Sequence, residues 1–172
     1  MNEPLTLYLV RHAIAHDRGD RWPDDRLRPL TAEGRARMRQ GARGLARLGA
    51  TLDRVCTSPL VRARQTARIL AGAWRPPPAI ALTEALDPDR SIAEVLSFLA
   101  DLTSPGPVAL VGHEPQLGRL AAALTGARAP FSFKKGGVAC LVCPERAGRG
   151  RARLEWLATP AMLRAVGARR SR

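Results

Sequence analysis

The sequence predicts an α/β protein, a three-layer αβα sandwich with a mostly parallel central sheet, and three observations carry that expectation. Short strand-like runs alternate with segments of helical period along the chain. Two of the runs, LTLYLV at 5–10 and VALV at 108–111, are almost wholly apolar, as strands buried on both faces are. Both stop abruptly at polar residues, Arg11-His12 and Gly112-His113, as strands do when they end at a ligand-binding edge.

The elements follow in order. After the first strand, residues 13–30 are rich in Asp, Arg and Pro without a sustained period and read as a loop over the strand's carboxyl end. Thr31 is a predicted N-cap, with Met38, Ala42, Leu45 and Leu48 at helical spacing and Gly49 as the stop. A strand at Arg54 to Thr57 leads to Ser58-Pro59, which is expected to open a helix reaching about Ala73 before the break at 74–78. Ala79 to Leu82 reads as a strand, and Ile92, Val95, Leu96 and Leu99 as a helix ended by Pro105-Gly106-Pro107. After the strand at 108–111, Leu117, Leu120 and Leu124 trace a helix to Gly126. Strands at Val138 to Cys143 and Arg153 to Leu157 and a helix at Pro160 to Val166 complete the set.

At 172 residues and 45% hydrophobic composition, the chain supports one buried core and is too short for two. The expectation is a single domain over 1–172 with a disordered tail after about 167. No apolar stretch is long enough to cross a bilayer, and Met1-Asn2-Glu3-Pro4 carries no signal-peptide pattern, so a cytoplasmic location is expected. The cysteines Cys56, Cys140 and Cys143 form no disulfide framework, and the lone C-x-x-C falls in a strand that would point its sulfurs to opposite faces. The net charge of +13 comes mainly from arginines, scattered along helices and gathered in the tail Arg164, Arg169, Arg170 and Arg172, and read as lying on solvated faces; aromatic residues at 4% do not favour nucleic-acid binding.

Neighbouring strands would bring His12 and His113 together over one sheet edge, with Arg11 beside them. The helix that follows the 54–57 strand adds Arg62 and its own N-terminal amides. Two guanidiniums and two imidazoles make a pocket for a phosphoryl group, whose charge is spread over its equatorial oxygens. A neutral imidazole is a competent nucleophile near neutral pH. Catalysis is therefore assigned to His12, Arg11, Arg62 and His113, with substrate binding by Arg11, Arg62, His113 and Ser58. His16 reads as a loop histidine, Lys134 and Lys135 equally as pocket entrance or solvated turn, and Glu114 as a cap for the helix at Leu117. A three-His zinc site from His12, His16 and His113 has the wrong spacing, and no cofactor or metal is expected. A binding module holding phosphopeptides or polyanions without turnover is the non-enzymatic alternative.

The motifs Leu9-Val10-Arg11-His12-Ala13, Leu30-Thr31-Ala32-Glu33-Gly34-Arg35, Thr57-Ser58-Pro59-Leu60-Val61-Arg62-Ala63 with Gln65-Thr66-Ala67, and Val111-Gly112-His113-Glu114-Pro115 resemble, in order, those of the histidine phosphatase superfamily. Ala13 in place of Gly, Phe133-Lys134-Lys135-Gly136-Gly137 and Glu155-Trp156-Leu157 are similar to its SixA-type phosphohistidine phosphatase branch. The resemblance implies a phosphoglycerate mutase-like fold, His12 as the phosphorylated residue, Arg11 and Arg62 as phosphate ligands and His113 as a hydrogen-bond donor to the transferring oxygens. It implies hydrolysis of phosphohistidine or another activated phosphate, with small phosphorylated metabolites as the alternative substrate and no membrane partner. A general acid would come from Glu84 or Asp87, and a readily expelled imidazole would tolerate its absence.

Overall fold

The structure, a computed structural model, describes residues 4–103, 106–144 and 147–168. Six strands form one sheet: β1 (Leu5–Arg11), β2 (Arg54–Thr57), β3 (Ala79–Leu82), β4 (Val108–Gly112), β5 (Val138–Cys143) and β6 (Arg153–Ala158), in spatial order β3-β2-β4-β1-β5-β6. The first four are mutually parallel; β5 and β6 join antiparallel. Five helices cover it: α1 (Ala32–Arg47), α2 (Val61–Ala71), α3 (Ile92–Asp101), α4 (Gln116–Thr125) and α5 (Pro160–Ala168).

Alternation along β1 shows how the layers are made. Tyr8 and Val10 pack with Met38, Ala42 and Leu45 of α1, Ala63, Ala67 and Leu70 of α2, and Leu163 of α5. Leu7 and Leu9 point the other way, to Val95 and Leu99 of α3 and Leu117, Leu120 and Leu124 of α4. A strand with period two buried on both faces must be apolar throughout, which is why LTLYLV reads as it does. Cys140 and Cys143 fall on opposite faces, and all three cysteines are free and buried.

Helix ends follow local chemistry. Thr31 Oγ1 accepts from Gly34 N at 2.9 Å, and Ser91 with Glu94 forms a reciprocal capping box at the start of α3. The helix after β2 starts later than the Ser-Pro pair implied, at Val61 with Leu60 as its cap, because Ser58 is used elsewhere. α1 and α5 touch through glycines: a Cβ on Gly44 would run into the Leu163 carbonyl, and one on Gly167 into that of Gln40. The predicted disordered tail begins inside α5, which continues to Ala168; residues 169–172 lie outside the described residues. Among the described residues no helix is long and apolar enough to cross a membrane.

Candidate active site

Sheet register sets the site. Arg11 of β1 lies opposite Gly112 of β4, so His12 and His113, one residue further on, leave the sheet side by side. His12 N donates to Gly112 O at 3.0 Å, and the two rings stand 5.1 Å apart at 55°. On the other side of β4, Ser58 N donates to Val111 O at 3.0 Å, bringing the residue after β2 to the same edge. Thr66 Oγ1, fully buried, donates to Arg62 O at 2.8 Å and accepts from Ala13 N at 3.0 Å, tying the first turn of α2 to the chain just past His12.

The His12 ring is 6% exposed, and its Nδ1 lies 2.7 Å from the Ala13 carbonyl, which only accepts. The proton is therefore on Nδ1, and Nε2 keeps its lone pair. Burial pushes the His12 pKa down to about 4; the bond to Ala13 opposes this and the charges of Arg62, Arg11 and Arg28 add to it. His113 is pushed lower, to about 2, by burial first and then by His12 and Arg62. Both rings are neutral at physiological pH.

His113 Nε2 meets Ser58 Oγ at 2.9 Å, and that oxygen also accepts from Leu60 N at 3.3 Å. With the hydroxyl proton directed to Nε2, the imidazole N–H is on Nδ1. Ser58, predicted to touch substrate, is fully buried with its hydroxyl against His113. Arg11 Nη1 donates to Phe133 O at 2.6 Å; Arg62 donates through Nη1 to Asp25 O at 2.7 Å and through Nη2 to the Asp25 carboxylate at 3.0 Å. Each guanidinium is thus held at one end. Among the described residues four buried side-chain nitrogens have no partner, Trp22 Nε1 in the loop and three in the pocket, Arg11 Nε, Arg62 Nε and His113 Nδ1. Buried donors are rarely left unpaired, and these three sit on three of the four predicted pocket residues. A tetrahedral oxyanion offers the acceptors they lack.

Several contributors escaped the sequence reading. Asp25 and Arg28 come from the long loop: Arg28 Nε donates to Asp25 Oδ1 at 2.7 Å, and Asp25 bridges Arg28, Arg62 and Arg18. Desolvation raises the Asp25 pKa, but the Arg28 hydrogen bond and the charges of Arg62, Arg28 and Arg18 outweigh it and leave it below the usual carboxylate range. A loop of irregular backbone with one 3-10 turn has no period to expose such a pair. Glu114 does more than cap: Oε2 accepts from Gly118 N at 3.2 Å and Oε1 from Phe133 N at 2.6 Å, and the Phe133 carbonyl anchors Arg11. In the Lys-Lys-Gly-Gly turn the lysines are exposed and the glycines do the positioning. Gly136, at φ +82°, donates to the carbonyls of Arg11 and His12 at 3.1 Å each, and Gly137 O accepts from Arg11 N at 3.1 Å.

The proposed acids fare differently from the four pocket residues. Asp87 is 4% exposed, but its Oδ2 accepts from Arg26 at 2.7 Å and its Oδ1 from Asp89 N at 3.2 Å, so this carboxylate is committed to an ion pair and a turn. Glu84 is exposed at the start of the 3-10 turn Glu84–Leu86 and makes no bond to the pocket residues. His16 stacks near Trp22 with centroids 6.0 Å apart. Among the described residues no group of three or more His, Cys, Asp or Glu converges to hold a metal ion.

Glu114→Ala is expected to release both the Phe133 segment and the α4 amide. A stability loss of about 1–3 kcal/mol follows from unpairing buried donors, measurable by chemical denaturation. Turnover should fall with it, mainly in kcat, because Arg11 loses its anchor; an unchanged kcat would separate Glu114 from the site.

Comparisons with known proteins bear on the family and the fold. The sequence pattern of the histidine phosphatase superfamily (branch 1) matches residues 7–87. An uncharacterised protein of Picosynechococcus sp. is 38% identical over 139 residues, covering 78% of this chain and 82% of that one. Phosphohistidine phosphatase SixA of Escherichia coli is 27% identical over 165 residues, 93% of this chain and 97% of the relative. The solved structure of the protein histidine phosphatase SixA complexed with tungstate superposes with a TM-score of 0.81 at 26% identity, over 92% of this chain and 99% of that one. A phosphoserine phosphatase from Entamoeba histolytica shares the fold at a TM-score of 0.67 and 18% identity, over 92% and 99% of the two chains. With the ordered motifs and the fold in agreement, this chain belongs to the histidine phosphatase superfamily, in its SixA-type group, and is a histidine-type phosphatase.

Proposed function

We propose that the protein hydrolyses phosphohistidine, or a comparably activated phosphate, through a phosphoryl group carried on His12. The observation that carries this reading is the trio of unpartnered buried donors on Arg11, Arg62 and His113 beside an imidazole whose Nε2 is unprotonated. Arg11, Arg62 and His113 bind the phosphoryl oxygens, and His12 Nε2 attacks phosphorus in line. As the Nε2–P bond forms, the substrate's N–P bond breaks, and the leaving imidazole keeps the electron pair and takes a proton from solvent. Water then attacks phospho-His12, the Nε2–P bond breaks, and inorganic phosphate leaves with its proton balance restored from solvent. That SixA binds tungstate, a tetrahedral oxyanion, supports the same use of this pocket.

The choice of an activated phosphate rests on the carboxylates. Asp25 bonds Arg62 and is held ionised, Asp87 is paired with Arg26, and neither is set up to protonate an alkoxide. An imidazole leaving group needs less help than an alkoxide. A second reading, small phosphorylated metabolites, is favoured by a cavity of ≈ 410 Å³ beside Asp25, lined also by Arg18, Gly19, Asp20, Trp22 and Pro23. We take the whole chain as one histidine phosphatase domain, working in a reducing compartment such as the cytoplasm, where the free buried cysteines stay reduced.

The test is a substrate panel of phosphohistidine protein, sugar phosphates, nucleotides and an aryl phosphate, run with EDTA present. A many-fold lead in kcat/KM for phosphohistidine supports the proposal; a lead for a sugar phosphate or nucleotide transfers it to the metabolite reading, and loss of all activity in EDTA removes the metal-independent mechanism.

The His12 shift sets a pH expectation. Its neutral form is the nucleophile, so kcat/KM on an aryl phosphate should hold down to about pH 5 and fall as pH drops through the pKa of about 4. Stability has the same sign: both histidines have folded pKa values below the unfolded value of about 6.5, so the unfolded chain takes up protons first. The contribution is present above pH 6.5 and drains away as pH falls toward the folded values. A pH-rate profile with parallel thermal melts reads both.

A further inference from the structure

The sheet separates charge as well as apolar surface. On one face α1 carries Arg35, Arg37, Arg39, Arg43 and Arg47 against the single acid Glu33, α2 adds Arg62, Arg64 and Arg68 with no acid, and α5 adds Arg164. On the other face α3 carries Glu94 and Asp101, and α4 only Arg119. Of the arginines in the five helices, all but Arg119 therefore lie on one face.

Within that face the side chains of Arg39, Arg43, Arg64 and Arg68 have no ion pair or hydrogen bond among the described residues. Arg37 is paired with Glu33, Arg35 donates to Leu30 O and Arg47 to the carbonyls of Val166 and Gly167, so these four, with Arg164 of α5, are the ones left over. Arg35/Arg39, Arg39/Arg43 and Arg64/Arg68 are each like charges one helical turn apart, an arrangement that costs helix stability by some tenths of a kcal/mol per pair. An opposing negative surface would relieve it. Arg39, Arg43 and Arg68, all exposed, line a groove of ≈ 380 Å³ between α1 and α2 whose remaining walls are Ile69, Gly72 and Ala73. Arg68 lies six residues along the same helix from Arg62, a rise of about 9 Å.

We infer that the α1–α2 groove is a docking surface for an acidic face of the protein that carries the phosphoryl group. Carboxylates pair with the arginines while apolar side chains from the same segment rest on Ile69, Gly72 and Ala73. A nucleic acid fits less well, because the groove offers no aromatic ring for base stacking and its floor is apolar where a phosphate backbone has nothing to place. The identity of the partner rests on the protein-substrate reading; the surface itself does not.

The experiment uses two charge-matched variants, R39Q/R43Q/R68Q in the groove and R119Q/R128Q/R149Q away from it, both at exposed positions. Fluorescence anisotropy with labelled poly-L-glutamate and with duplex DNA measures binding at low and physiological salt. Turnover is measured on an aryl phosphate, on a short neutral phosphohistidine peptide, and on the same phosphohistidine in an acidic protein. The groove variant should lose about ten-fold in poly-L-glutamate affinity and in kcat/KM on the acidic protein, with aryl phosphate and neutral peptide unchanged and the distal variant close to wild type. Equal losses in both variants, or none, would overturn the docking surface while leaving the substrate reading intact. A larger loss for DNA than for poly-L-glutamate would overturn it in favour of nucleic acid. Failure of the wild type on the neutral phosphohistidine peptide would remove the substrate reading, and the binding arms would still decide the groove.

Discussion

His12→Ala is expected to abolish turnover on every phosphate in the panel, a loss on the order of 10⁴-fold or more. The size follows from the mechanism: without Nε2 there is no covalent intermediate, and the remaining arginines and His113 bind phosphate without giving it anywhere to go. The ring is enclosed, with Nδ1 committed to Ala13 O, so neither a neighbouring side chain nor a shifted imidazole replaces it. The variant should still bind orthovanadate or phosphate through Arg11, Arg62 and His113, which separates loss of chemistry from loss of fold. Rapid quenching of wild type with labelled substrate should trap an acid-labile, base-stable phosphoenzyme that His12→Ala lacks. Substantial activity in rigorously purified His12→Ala would end the assignment.

Arg62→Ala ranks next, with an expected loss of ~10²–10³ in kcat. Arg62 is 4% exposed and holds its place through two bonds to Asp25 while its Nε has no partner among the described residues. Burial lowers its pKa and Asp25 pulls it back up, yet a guanidinium stays protonated across the working range. Arg62→Lys should recover little, because an ammonium cannot hold Asp25 and a phosphoryl oxygen with a planar fork. A lysine variant with near wild-type kcat would show that only charge matters there. Removal of Arg62 also leaves Asp25 to Arg28 and Arg18 alone, so part of the loss should appear as weaker phosphate inhibition.

The parts of the site that were legible in sequence share one property: they directly follow regular elements. His12 and His113 end apolar strands, and Arg62 opens a helix behind a third, so alternation and strand ends locate them without coordinates. Their surroundings were not legible. Asp25 and Arg28 sit in an aperiodic loop, and Glu114 reaches Phe133 across nineteen positions. Ser58 looked like a helix opener because its neighbour is Pro59, whereas the helix starts at Val61 and the Ser58 hydroxyl lies against His113. Asp87 looked available as an acid because sequence does not show Arg26 lying 2.7 Å from it.

By itself, then, the sequence determined the layering of helices on a mixed but mainly parallel sheet, the edge at which the candidate site lies, and the residue types gathered there. These depend on periodicity and on where apolar runs stop, both of which are local. Tertiary structure alone decided which nitrogen of His12 keeps its lone pair, which donors lack partners, which carboxylates are already spent, and that the helical arginines collect on one face. Those outcomes depend on distances between residues far apart in the chain, and a hydrogen bond or an ion pair exists only when folding brings its two ends within about 3 Å.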